Sequence, residues 1–159
     1  MRVSAAVFAT LLSGQAAALS CMPPDPRATF LSLMEVEQPY YILYGRLQFD
    51  TSLLPSFVEE GTPEPAAIAA RFSGKGLTAT GFDADFIRDV TLQPVCFGPW
   101  CGGAPADVAT LYFAKVNGDA VTIEADPCGG TVFPEPSDEM LDAMTACISG
   151  GPCTAPEPL

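Results

Sequence analysis

Histidine is absent from this chain of 159 residues, and asparagine and tryptophan occur once each, at Asn117 and Trp100. Without His there is no Ser-His-Asp triad, no Cys-His nucleophile pair and no mixed Cys/His zinc site. A single Asn, followed by Gly118, leaves no N-glycosylation sequon. Cations are scarce too: 7 Lys and Arg stand against 19 Asp and Glu, for a net charge of −12. Such a surface repels phosphate backbones and anionic lipid, which excludes backbone-driven nucleic-acid binding. Its plain consequence is solubility; an acidic docking surface is the alternative. Few Lys and Asn with abundant Ala suit a GC-rich bacterial genome.

What is present begins with an N-terminal leader. Arg2 precedes an apolar run centred on Ala5–Leu12, followed by Gly14 and Ala16-Ala17-Ala18. A positive start, a short apolar stretch and an A-x-A site read as a secretory signal peptide over residues 1–18, cleaved before Leu19. The run is shorter and richer in Ala than the roughly 20 strongly apolar residues of a membrane span. Ala18-Leu19-Ser20-Cys21 also fits a permissive lipobox, with Ala where Leu or Val is usual. In that alternative Cys21 is lipidated and the protein is membrane-anchored. Residues 19–159 form one domain, of a size that buries roughly two-thirds of its unfolded surface, and without Arg2 it carries 6 basic and 19 acidic residues.

All six cysteines lie in that part: Cys21, Cys96, Cys101, Cys128, Cys147 and Cys153. An even count in a short exported chain reads as three disulfides. Zinc is the rival, but neither Cys96-x4-Cys101 nor Cys147-x5-Cys153 has the usual ligand spacing. Proximity pairs Cys96 with Cys101 and Cys147 with Cys153.

Along the chain, Pro23-Pro24-Asp25-Pro26 is an extended lead-in to a short helical piece, Ala28–Glu37. Tyr40–Phe49 is the clearest strand, with Tyr41, Leu43, Leu47 and Phe49 on one face and Gly45 at a bend. Leu54–Pro65 is a solvent-exposed loop. Ala67–Phe72 and Gly76–Phe82 are two strands, or one strand bent around Gly74 and Gly76. Phe86–Val95 follows, with Ile87, Val90 and Leu92 as its apolar set. Cys96–Gly103 is a tight loop. Val108–Val116 and Ala120–Ala125 flank Asn117-Gly118, which predicts a type I′ hairpin with both residues at positive φ. Ser137 caps a last helix opening on Asp138-Glu139, with Met140, Leu141, Met144, Thr145 and Ile148 inward and Gly150-Gly151-Pro152 as the stop. Residues 154–159 read as a disordered tail. Five or six strands and a helix argue for a mainly β fold built on a small barrel.

Two stretches resemble the netrin-like family, which includes the tissue inhibitors of metalloproteinases. Cys21-Met-Pro-Pro-Asp-Pro-Arg-Ala-Thr-Phe30 is similar to the family's N-terminal Cys-x-Cys-x-Pro-Pro-x-Pro-x-x-x-Phe-Cys. Thr110-Leu-Tyr-Phe-Ala, the Asn117-Gly118 turn and Val121–Cys128 resemble its strand, Gly turn and strand ending in Cys. The resemblance implies an OB-type five-stranded barrel with a flanking helix, and a Cys21–Cys128 bridge. In the inhibitors the first Cys presents its amine and carbonyl to the protease zinc. Here Leu19 takes that place and Leu31 replaces the Cys after Phe, so the amine loses the disulfide that fixes it and binding acquires an ordering cost.

Other chemistry is thin. Asp83-x-Asp85 with Asp89 offers oxygens to calcium but lacks a recognised loop. Gly74-x-Gly76-x4-Gly81 fails dinucleotide and P-loop spacings and suits barrel curvature instead. Trp100 either caps a barrel end or is an exposed contact. The residues nominate no catalytic group, cofactor or metal. The expectation is a monomeric, non-catalytic, periplasmic or secreted binding module with a protein partner, touching membrane only through a lipidated Cys21. A protease inhibitor and a lipid-anchored envelope protein are the alternatives. The contact residues expected are Leu19, Ser20, Met22, Phe97 and Trp100.

Overall fold

The computed structural model describes residues 19–55, 58–59 and 62–155. The leader at 1–18, positions 56, 57, 60 and 61 of the expected loop, and 156–159 of the expected tail lie outside them.

The chain opens with α1 (Pro26–Met34), which starts earlier than Ala28 because Asp25 caps it. The Asp25 carboxylate accepts from the Arg27 and Ala28 N–H groups, and Pro26 sits in the first turn, where a missing N–H costs nothing. Then follow β1 (Tyr40–Gln48), β2 (Ile68–Thr78), β3 (Gly81–Pro94), β4 (Cys96–Phe97) and β5 (Trp100–Cys101). The chain finishes with β6 (Thr110–Asn117), β7 (Ala120–Ala125), β8 (Val132–Pro134) and α2 (Asp138–Ile148).

Five strands close on themselves in the order β1-β2-β3-β7-β6, with β6 returning to β1. Only the β3–β7 pairing is parallel. This is the OB-type barrel, with its short seam between β3 and β7. Leu43, Leu47, Phe72, Leu92, Tyr112 and Ile123 fill its interior. A second apolar layer, with Phe30, Leu111, Phe113, Phe133 and Met144, lies between the barrel wall and the helices. Strand β6 serves both layers, so Thr110–Ala114 is buried without interruption, as expected of a strand covered on two faces.

Curvature comes from glycine. Gly45 and Gly74 are partners across β1 and β2, and a Cβ on Gly45 would lie 2.7 Å from the Gly74 Cα. Residues Ile68–Thr78 form one bent strand, and Phe82 belongs to the next: the expected second strand is split by a turn at Ala79-Thr80.

Three further expectations are corrected. Ile87 faces solvent and Phe86 takes the inward place, because Val90 and Leu92 share a face only with even-numbered neighbours. Asn117 is not at positive φ: it closes β6 by pairing with Ala120, and Gly118 (φ 59°) is the first central residue, the pattern of a II′ turn. In α2, Ser137 accepts from the Met140 N–H as expected (3.2 Å), but Cys147 is buried while Ile148 is exposed.

Candidate binding edge

Three disulfides staple the fold: Cys21–Cys128, Cys96–Cys101 and Cys147–Cys153. No free cysteine remains. The first pins Leu19–Pro24, which has no regular structure of its own, beside the end of β7, with Cα atoms 5.4 Å apart. The acceptor turn is built to hold Cys128. Asp126 Oδ1 accepts from the N–H groups of Cys128 (2.7 Å) and Gly129 (3.1 Å), and Gly129 takes φ 78°. Thr29 Oγ1 donates to Gly130 O (2.7 Å), so α1 is tied to the same turn.

The base of the β4–β5 hairpin closes the other side. Gly102 donates to Val95 O (2.9 Å) and lies so near the Ala125–Asp126 backbone that a side chain there has no room. Between them runs an open groove of about 370 Å³, lined by Pro24, Cys101, Gly103, Pro127, Cys128 and Gly129, among others. The N-terminal segment, the hairpin base and the barrel end therefore meet in one place.

The expected contact residues divide. Met22 is 76% exposed, and Leu19 and Ser20 are exposed beside it. Phe97 is 45% exposed, but it pairs with Trp100 at the hairpin tip, which points to the neighbouring loop: Val58 N–H donates to Pro99 O (3.2 Å). Trp100 is half-buried, its ring folded over Gly98, and it belongs to neither apolar layer. The structure joins the hairpin base, not its tip, to Leu19–Pro24.

Among the described residues no group of three or more Cys, Asp or Glu is placed to hold a metal. Asp83, Asp85 and Asp89 each have separate partners: Asp83 accepts from the hydroxyls of Thr78 (2.7 Å) and Thr80, while Asp85 and Asp89 pair with Lys75 (2.6 Å) and Arg71 (2.8 Å). The hydroxyl of Thr80, then that of Thr78, holds the Asp83 carboxyl below its ordinary range.

Comparison with known proteins finds no family that matches this chain, and no curated protein or solved structure that matches it significantly. The site is read from its own residues.

One surface was not legible from the sequence. Met34, Val36, Tyr41 and Ile148 are exposed, and two apolar hollows of about 240 and 280 Å³ share Tyr40, Ile42 and Ile148. Tyr41 and Ile148 fall on inward stripes by periodicity, but each sits where its element runs past the layer it covers.

Proposed function

We propose that the protein is an exported, non-catalytic binding module of netrin-like type. It engages a protein partner along the edge where Leu19–Pro24 crosses the base of the β4–β5 hairpin. The observation that carries this reading is the Cys21–Cys128 bridge, which clamps an exposed segment one residue before Met22. A clamped segment loses less freedom on binding than a loose terminus, so more of each contact survives as affinity. Its apolar tip on an acidic molecule has the make-up of a contact patch with a polar rim. Three disulfides favour an oxidising compartment, hence a periplasmic or secreted protein. Intact mass of the purified protein separates cleavage before Leu19 from lipidation at Cys21.

The test of the edge is partner capture from envelope extract by the native protein and by Met22→Asp. Met22 touches no buried layer, so the variant should keep its melting temperature. Loss of a specific captured protein by that variant, with Phe97→Asp at the turned-away tip retaining it, supports the edge. Identical capture by all three proteins overturns it.

A further inference from the structure

We propose that the free edge of β3 between Asp83 and Ile87 accepts an extended segment of a partner protein by strand addition. That segment is amphipathic, with cations on one face and apolar side chains on the other. This surface is separate from the N-terminal edge.

Strand β3 has β2 along one side from the Thr78↔Gly81 pair to Ile68↔Leu92, all but its last two residues. On its other side β7 pairs only with Thr91–Pro94. Among the described residues no strand lies along that side before Thr91. The β6–β7 turn reaches Arg88, whose Nη2 donates to Asp119 O (2.7 Å). At the hairpin tip α2 takes over: Ser149 Oγ donates to Ala79 O (2.7 Å), and Gly81 lies near Thr145. The stretch from Asp83 to Ile87 is left between these two covers.

Its backbone has hydrogen bonds to give. Val95 N–H donates toward β7, to Ala125 O (2.8 Å), and Pro94, which has no N–H, turns the other way. Carried back in steps of two, the alternation of a strand turns the N–H and C=O of Ile87 and Asp85 to the open side. At Asp83 the register shifts, from Gly76↔Ala84 to Leu77↔Phe82, so the edge ends in a bulge. An incoming strand would meet unpaired groups in a row, which is the basis of strand addition.

The two faces say what the strand carries. Asp83, Asp85 and Ile87 are exposed on the outer face. Lys75 is the cation of Asp85, while Asp83 has two threonine hydroxyls and, among the described residues, no cation within ion-pair distance. On the inner face Ala84 and Phe86 join Tyr41, Leu43 and Ile148 around the hollow of about 280 Å³. Cross-strand neighbours on a sheet face each other closely, so Lys or Arg beside the aspartates and apolar residues beside Phe86 complement both sides. A second copy is disfavoured. An antiparallel β3–β3 pairing centred on Ile87 would set Asp85 opposite Asp89 of the other molecule, and like charges in that position repel.

The experiment uses the disulfide-intact protein and an eight-residue peptide alternating Lys and Val, with a Glu/Val peptide as control. Binding of the Lys/Val peptide should slow exchange of the Asp85 and Ile87 amides by at least about tenfold. Ile87→Pro removes an N–H that β2 does not use, so the fold stays and affinity falls at least about tenfold. Asp85→Lys keeps the backbone and should weaken the same peptide comparably. Equal binding to Ile87→Pro, protection at other amides, or no preference over the Glu/Val peptide overturns the proposal. So does no binding at millimolar peptide, which would leave the aspartates as guards of a bare edge. Self-association of the free protein that Ile87→Pro abolishes would assign the edge to a second copy and overturn the basic partner.

Discussion

Gly45 and Gly74 meet across β1 and β2 with each Cα in the space where the other's Cβ would stand: a Cβ built on Gly74 falls 2.6 Å from the Gly45 Cα. Gly45→Ala and Gly74→Ala therefore push two strands of the barrel apart. Each should lower stability by about 1–3 kcal/mol or more in denaturant melts, as overpacking does. Gly76→Ala is the contrast, since its Cβ would meet nothing nearer than Leu43 Cδ2 at 3.7 Å. It should be neutral or stabilising by up to about 1 kcal/mol. Equal effects at the three sites would remove close approach as the cause.

The hairpin turn makes a separable prediction. Gly118 is at φ 59° with nothing near it, so Gly118→Val is strained by backbone conformation alone and should cost about 1–2 kcal/mol. Asn117→Ala, at an ordinary φ in β6, should change stability by no more than about 0.5 kcal/mol. A type I′ turn would make both positions sensitive, so paired thermal melts distinguish the two geometries.

Tyr112 supplies a pH dependence. Its ring is fully buried in the barrel, edge-on to Phe72, and among the described residues its hydroxyl has no hydrogen-bond partner. Burial pushes the phenol up to about 12; Thr110 pulls the other way, but its own hydroxyl donates to Val108 O (3.1 Å). The folded state therefore holds this proton more tightly than the unfolded chain, whose phenol titrates near 10. The stability this contributes is complete below about pH 10 and is lost as pH rises to about 12, by roughly 3 kcal/mol. Tyr112→Phe should flatten that alkaline decline. At neutral pH it should be neutral or stabilising by about 1 kcal/mol, since the hydroxyl it removes is unpaired. A marked neutral-pH loss in the Phe variant would mean that the hydroxyl is satisfied in solution.

Replacing Cys21 and Cys128 together by Ser opens the longest loop, with a sequence separation of 107. Loop entropy predicts a loss of about 4–5 kcal/mol. The two Ser residues leave the side chains of Leu19–Pro24 in place and remove only the bridge that pins them, so the variant also asks whether the clamp or the side chains make the binding edge. Urea melts give the first answer and partner capture the second.

Local signals in the sequence translated well. Ser137 and the acidic first turn mark the start of α2 to the residue, because a cap involves only four neighbours. Asn117-Gly118 located the β6–β7 hairpin but not its turn type, since offsetting the turn by one residue keeps the same dipeptide at the tip. Composition favours Ile87 for the inward face, since it is more apolar than Arg88, yet Arg88 holds the inward parity and lies over the Phe86 ring (5.8 Å). The candidate edge was half legible. Cys21 pointed to it through the likeness of its neighbours to a family segment, but the seat of Gly102 against Ala125–Asp126 is a contact between distant backbones and leaves no periodic trace. Strand β8 leaves no sequence signal: three residues carry no period, and Val132–Pro134 is a strand only because β6 lies beside it.

The order of the staples has a consequence for assembly. Counted from the N-terminus, Cys21 is the first thiol made and its partner Cys128 is the fourth. Cys96 and Cys101 come between, and they belong to each other. An oxidant that joined thiols in order of appearance would link Cys21 to Cys96 and strand Cys101 for Cys128. The native set is therefore reached directly where Cys96 closes on Cys101, five positions away, before Cys21 meets either thiol. Where Cys21 is captured first, exchange through a mixed disulfide restores it.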